Sequence, residues 1–420
     1  MRSTLLKLFN IKSVWLILRQ LRKIWVRTVS FAFLALGSVV LAQTLGRLLP
    51  LSLGEKLGAG AVEQVLNILA TSMLAVTTFS LSIAVSAFST AAGSATPRAT
   101  ALLQEDHTTQ NVLATFLGAF LFSLVGIVAL KAGYYTQAGR LVLFATTVLM
   151  IAFVVVALLR WISHLSNFGR IEDTLERVEI AAAGALNRRL EKPWLGGKPQ
   201  KQPPPATAQK VCSQDIGFVQ HIDMGAVSKC AKELDLNVWV VALPGAFVHR
   251  ASPLMYIDGP TVDDAGLAPL RAAFSCGQRR SFDQDPKFGL IVMSEIASRA
   301  LSHSVNDPGT AIDVIGRLVR ILAPWRSGGD ALVDYPNITV PSLQTETLIE
   351  QAFRPIARDG AELIEVQIRL HKALCSLAEM DAATFRAASA KVSQDALKRA
   401  DKRVLTTQEM RRLEQISASI

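Results

Sequence analysis

VLATFLGAFLFSLVGIVAL (112–130) and LVLFATTVLMIAFVVVALL (141–159) decide how this chain is read, because neither carries a charge. A bilayer's hydrocarbon core is about 30 Å thick, and a helix of about 20 apolar residues crosses it. Two more segments qualify: 65–88, which is longer, and 28–49, with Gln43 and Arg47 near its end. Beyond about residue 160 no run of comparable length occurs in the 420-residue chain. The pattern predicts an α-helical four-span transmembrane domain over 28–160, followed by a large cytosolic tail.

Charge placement orients the spans. Arg2, Lys7, Lys12, Arg19, Arg22, Lys23 and Arg27 precede the first span with no acidic residue among them. Loops held in the cytoplasm are enriched in Lys and Arg, so the arm 1–27 is read as inside. Arg160, Arg170, Arg177, Arg188 and Arg189 follow the fourth span, whereas the outer loops hold only Lys56 and Lys131, with Arg47 and Arg140 at their edges. Both termini are therefore expected in the cytoplasm. This placement accounts for the net charge of +10 without a nucleic-acid partner. Val40-Leu41-Ala42 has the small-residue ending of a cleavage site, but the long basic region before it and the spans after it favour an uncleaved anchor.

Within the arm, Ile11, Val14, Trp15, Leu18, Leu21 and Trp25 recur at helical steps opposite Lys12, Arg19 and Lys23. That is an amphipathic helix suited to the inner headgroup layer, or to lying against the tail. Residues 161–192 read as a polar connecting helix that continues the fourth span. The Pro/Gly-rich stretch 193–210 then breaks helical periodicity and reads as a linker. A mixed α/β unit is expected over 211–284, with strands at 215–222, 236–243, 247–248 and 254–257 around a helix at 224–234. From 285 to 420 the pattern is helical. Cys212, Cys230, Cys276 and Cys375 form no Cys-x-x-Cys pair, so a cysteine zinc cluster is not expected, and no metal site or cofactor is assigned.

Several stretches carry a family resemblance: Ser94-Ala95-Thr96-Pro97-Arg98, Arg160-Trp161-Ile162, Gly217 through Asp223 (GFVQHID), Pro244 through Val248 (PGAFV), Asp285 through Leu290 (DPKFGL), and Ala300 through Ala311 (ALSHSVNDPGTA). With these the chain resembles an uncharacterised bacterial family of four-span membrane proteins, a domain of unknown function of the DUF 2254 type. The sequence departs from the pattern at His303, where proline is expected, and near Ala251, where glycine is. The resemblance implies a bacterial membrane protein and brings no assigned activity; with the charge placement above, the bacterial inner membrane is the expected location.

On the second span Thr71, Ala75, Thr78, Ser82, Ser86, Ser89 and Gly93 follow steps of three and four. They form one face of small and hydroxyl residues. Such a face suits close helix contact, or it lines a polar path with Thr71, Thr78, Ser82, Ser86 and Ser89 as pore-lining candidates. Arg98, Glu105 and Asp106 at its inner end are candidate gate or loop residues, although such residues also anchor helix ends. In the tail, Asp285-Pro286 and Asp307-Pro308 have the form of helix starts: Asp accepts an orphan N–H and Pro lacks one. His303, Asn306 and Asp307 lie in a turn where an anion or metal could be held at a helix N-terminus, or where capping is their whole role. Asp285 stands a helix length of about 24 Å from His303, too far for a shared site.

No nucleotide loop, nucleophile elbow or zinc motif is present, and no catalytic residue is assigned. The leading expectation is a homo-oligomeric membrane protein in the lipid bilayer, of channel, transport or sensing type, with a cytosolic regulatory tail whose effector is unknown. A membrane-tethered enzyme with its site near Asn306 and Asp307 is the alternative, and a non-catalytic scaffold the third.

Overall fold

A computed structural model describes residues 37, 59–104, 106–135, 137–166, 168–326, 331–400 and 404–420. The arm 1–27 and all of the expected first span except Gly37 lie outside the described residues. The chain divides into two compact units. One, the span unit, includes the described residues up to Gly93 and Thr100–Asp173; the other, the sheet-containing unit, includes Ser94–Ala99 and Thr174–Ile420.

The span unit holds α1 (Ala59–Ser94), α2 (Thr100–Gln104), α3 (His107–Lys131) and α4 (Gln137–Leu165). Three segments are long and apolar enough to cross a membrane: Ala61–Ser94, Thr100–Lys131 and Gly139–Leu165. Three such spans, not four, are thus present among the described residues. Leu66 and Met73 of α1 meet Phe116 and Phe122 of α3 and Leu143 and Met150 of α4 in one buried cluster. Hydroxyls within this core close on their own helices: Ser123 donates to the Ala119 carbonyl at 2.8 Å and Thr147 to Leu143 at 2.7 Å. Pro97 follows α1, where the residue before a proline is disfavoured in α geometry. Past the end of α3, Gly133 takes the left-handed conformation (φ 77°), as expected just beyond a helix C-cap.

The connecting helix is not continuous with the last span. After α4 the chain turns at Gly169 (φ 80°), and α5 (Ile171–Glu191) begins anew. A side chain at 169 would strike Ala87, whose Cα lies 3.1 Å from where its Cβ would be. Helical periodicity on both sides of the break concealed this corner.

The sheet-containing unit follows with β1 (Lys198–Pro199), β2 (Gln209–Cys212), β3 (Gly217–Ile222), α6 (Met224–Glu233), β4 (Asn237–Val240), β5 (Phe247–Val248), β6 (Pro253–Asp258), α7 (Asp264–Ala272) and β7 (Phe274–Gly277). Then come α8 (Pro286–Ala300), α9 (Pro308–Leu322), β8 (Ile338–Val340), α10 (Thr345–Asp359), α11 (Ile364–Met380), α12 (Ala382–Arg399) and α13 (Thr407–Ser417). Five strands form a mixed sheet in the order β1-β8-β4-β6-β2, and three form an antiparallel sheet, β5-β3-β7. β8 runs parallel to both its neighbours, with Val238 opposite Ile338 and Lys198 opposite Thr339. Val211, Val219, Val238, Val240, Met255 and Ile257 build the core with Val227 of α6 and Leu270 of α7.

The Pro/Gly-rich stretch is bound into this fold. β1 and β2 join the sheet, and Trp194 Nε1 donates to Ser342 Oγ at 3.0 Å. The region beyond 285 also supplies a strand, β8. Helix starts are set by aspartates whose side chains accept a backbone N–H: Asp223, Asp263, Asp285, Asp307 and Asp381 cap α6, α7, α8, α9 and α12. Thr406 and Glu409 form a capping box on α13.

Candidate functional site

On α1 the two faces differ in burial. Val62, Leu66, Leu69, Met73, Ala84 and Ala91 are buried, whereas Thr71, Ala75, Thr78, Ser82, Ser86, Ser89 and Gly93 are all exposed. Among the described residues, the stripe is therefore left uncovered. Thr71 donates to the Asn67 carbonyl and Thr78 to Leu74, both at 2.9 Å. A hydroxyl bonded back to its own helix is satisfied without water, so this face tolerates apolar surroundings.

Of the gate candidates, Arg98 and Asp106 belong to different units. Arg98, in the sheet-containing unit, forms an ion pair with Glu295 of α8. Asp106 is buried and caps α3, accepting the Thr109 N–H at 2.6 Å, while His164 Nε2 stands 3.1 Å from its Oδ2. Glu105 lies outside the described residues.

Among the tail candidates, His303, Asn306 and Asp307 are exposed. Asn306 occupies the left-handed region (φ 49°), which asparagine tolerates better than most residues. Asp307 accepts from the Thr310 N–H at 3.0 Å and the Thr310 hydroxyl at 2.5 Å, and these bonds hold its carboxyl below the usual carboxylate value. Both of these side-chain bonds serve the start of α9.

Asp285 stands at the far end of α8 and in different surroundings. Three of the motif stretches converge on it. Gly245 N–H donates to Val219 O at 2.8 Å, and Gln284 accepts the Ile222 N–H at 2.9 Å. Gly245 has φ 90°, and a Cβ there would overlap the Asp285 carboxylate, so both backbone and space require glycine. Arg280 grips Asp285 Oδ2 through Nε at 2.7 Å and Nη2 at 2.6 Å, while Lys287 N–H reaches Oδ1 at 3.1 Å. Burial pushes the Asp285 carboxyl up, and Arg280 opposes that shift.

Two more cations face this carboxylate. Arg189, in the last turn of α5, is only 3% exposed. Burial pulls its guanidinium down to about 10, with the Asp285 charge opposing. Burial likewise lowers Lys287, and Arg280 and Arg189 add to the effect. Neighbouring Arg188 donates to the Asp283 carbonyl at 2.7 Å, fixing the loop that enters α8. α5 and α8 approach closely where Gly289 meets Ala182.

Arg189 and Lys287 carried no sequence signal beyond being basic, and Arg280 is a cation five residues before an Asp-Pro cap. A further buried polar group lies between α11 and α12: His371 Nδ1 is 2.7 Å from Ser393 Oγ, itself 2.7 Å from Ser417 Oγ. Among the described residues no three His, Cys, Asp or Glu side chains assemble as metal ligands.

Apolar helices of spanning length joined to an α/β unit define a membrane protein with a large extramembrane part. The chain belongs to the DUF2254 family, described as predicted membrane proteins, which it matches over residues 22–376. It is 28% identical over 224 residues to the uncharacterized proteins Mb1321c of Mycobacterium bovis and Rv1290c of Mycobacterium tuberculosis. The alignment covers 51% of this chain and 42% of each relative, so the chain spans less than half the length of these curated relatives. No solved structure matches it.

Proposed function

We propose that the protein is a homo-oligomeric membrane protein of transport or sensing type, in which copies of α1 face one another and the sheet-containing unit regulates them from the cytoplasm. The observation that supports this is the exposed stripe on α1. Small residues let helix backbones approach closely in a bilayer, and hydroxyls at such a face can bond across it or line a wetted axis. The basic residues flanking the spans support an inner-membrane protein with both termini cytoplasmic. A periplasm-active reporter inserted within 51–61 should then be active, and one fused after Ile420 silent; the opposite pair of results reverses the topology.

Ser82→Leu and Ser86→Leu test the stripe. If copies of α1 line a path, liposome flux stops while native mass measurement still finds the oligomer. If α1 only joins the copies, the same changes disperse the assembly, because a bulky side chain forces the backbones apart. Intact flux and an intact oligomer together remove α1 from the interface. The capping bonds of Asp307 weigh against the enzyme reading.

A further inference from the structure

Seven residues, about two helical turns, separate Ala182 from Arg189 on α5, and four separate Asp285 from Gly289 on α8. With Ala182 against Gly289, α5 runs antiparallel to α8, and Arg189 comes to the N-terminal end of α8. Three cations, Arg189, Arg280 and Lys287, share one carboxylate there. Asp285 is already committed, to Arg280 through Oδ2 and to the Lys287 N–H through Oδ1. Arg189 Nη1 is buried with no hydrogen-bond partner, and the half-buried Lys287 lies within reach of its charge. A buried cation without an acceptor is costly, and the positive end of the α8 dipole adds to the local excess.

We propose that Arg189 and Lys287, at the N-terminus of α8, bind a phosphate-type oxyanion. Such a group has several acceptor oxygens and so can bridge a guanidinium and an ammonium, as one more carboxylate bond to Asp285 cannot. Chloride, a single atom, cannot offer a guanidinium two parallel acceptors. The chemistry fits free inorganic phosphate, a phosphate monoester, or the phosphodiester of an anionic lipid.

The test uses the full chain. In neutral detergent, inorganic phosphate should raise the melting temperature relative to potassium chloride of equal ionic strength. Lys287→Gln and Arg189→Gln should weaken the apparent affinity about tenfold or more, the loss expected for one charge-assisted contact. Lys192→Gln, which removes a surface partner of Asp334, should leave it unchanged. In a parallel arm, nanodiscs of phosphatidylglycerol are compared with phosphatidylcholine. A shift there alone, lost in Lys287→Gln, assigns the site to a lipid headgroup; a shift with phosphate in detergent assigns it to a soluble phosphate. If Arg189→Gln does not fold, the partly exposed Lys287 carries the comparison. A Lys287→Gln protein that responds like wild type, or no response in either arm, overturns the proposal.

Discussion

Replacing Gly289 by alanine sets two effects of opposite sign against each other. Gly289 lies inside α8, where exchanging glycine for alanine alone favours the helix by about 1 kcal/mol. The added Cβ would stand 2.7 Å from Ala182 Cα and closer still to its Cβ. Ordinary carbon contacts are about 3.5–4.0 Å, so α5 and α8 must separate by about 1 Å or more. The obstacle is backbone and a methyl group, neither of which can rotate away. Overpacking of this kind costs roughly 1–3 kcal/mol, and here the upper part of that range applies. The net expectation is a loss of about 2 kcal/mol, or a melting temperature lower by about 4–8 °C. Thermal unfolding of the full chain, followed by tryptophan fluorescence, measures it. Ala182→Gly in the same chain removes the opposing methyl, so the double variant should recover most of the loss. If Gly289→Ala is neutral or stabilising, helix propensity has won and the close approach of α5 and α8 is wrong.

Two further predictions concern the helical region. Burial alone pulls the His371 imidazole from 6.5 down to about 4. The unfolded chain therefore takes up the proton first, so this contribution is complete above about pH 6.5 and falls by about 3 kcal/mol as pH drops to 4. His371→Gln should flatten the pH dependence of urea unfolding across that window, and an unchanged slope would refute the assignment. Asp307→Ser should alter stability little, because serine caps about as well as aspartate, whereas Asp307→Ala should cost about 1 kcal/mol. A Ser variant that melts like wild type yet loses a measurable activity would reverse the reading of Asp307 as a cap.

What could be read from the sequence follows the range of the forces involved. Helix starts at Pro286 and Pro308 were legible because the Asp-Pro signal is local. Although the Pro244-Gly245 turn makes no hairpin, because it joins β4 to β5 in the other sheet, strands β3, β4, β5 and β6 were legible from their apolar runs. β1 and β8 were not, since each is only two or three residues long and its partner lies more than a hundred residues away. β7 was missed for a similar reason: Phe274–Gly277 offers no alternation, and its strand character comes from pairing with β3. The candidate site was half legible. The aspartate was evident, but the three cations around it are supplied by tertiary placement, from the end of α5, the loop before α8 and the first turn of α8.

The position of β8 bears on how the polypeptide can be made. It sits between β1 and β4, although the chain writes β4 about a hundred residues earlier. During synthesis β4 must wait with one edge bare until Ile338–Val340 has left the ribosome, and an open strand edge is a template for association with other chains. A nascent chain halted between α9 and β8 would hold that edge open. Ribosome-bound holding factors therefore have most to protect between the emergence of Val240 and that of Val340.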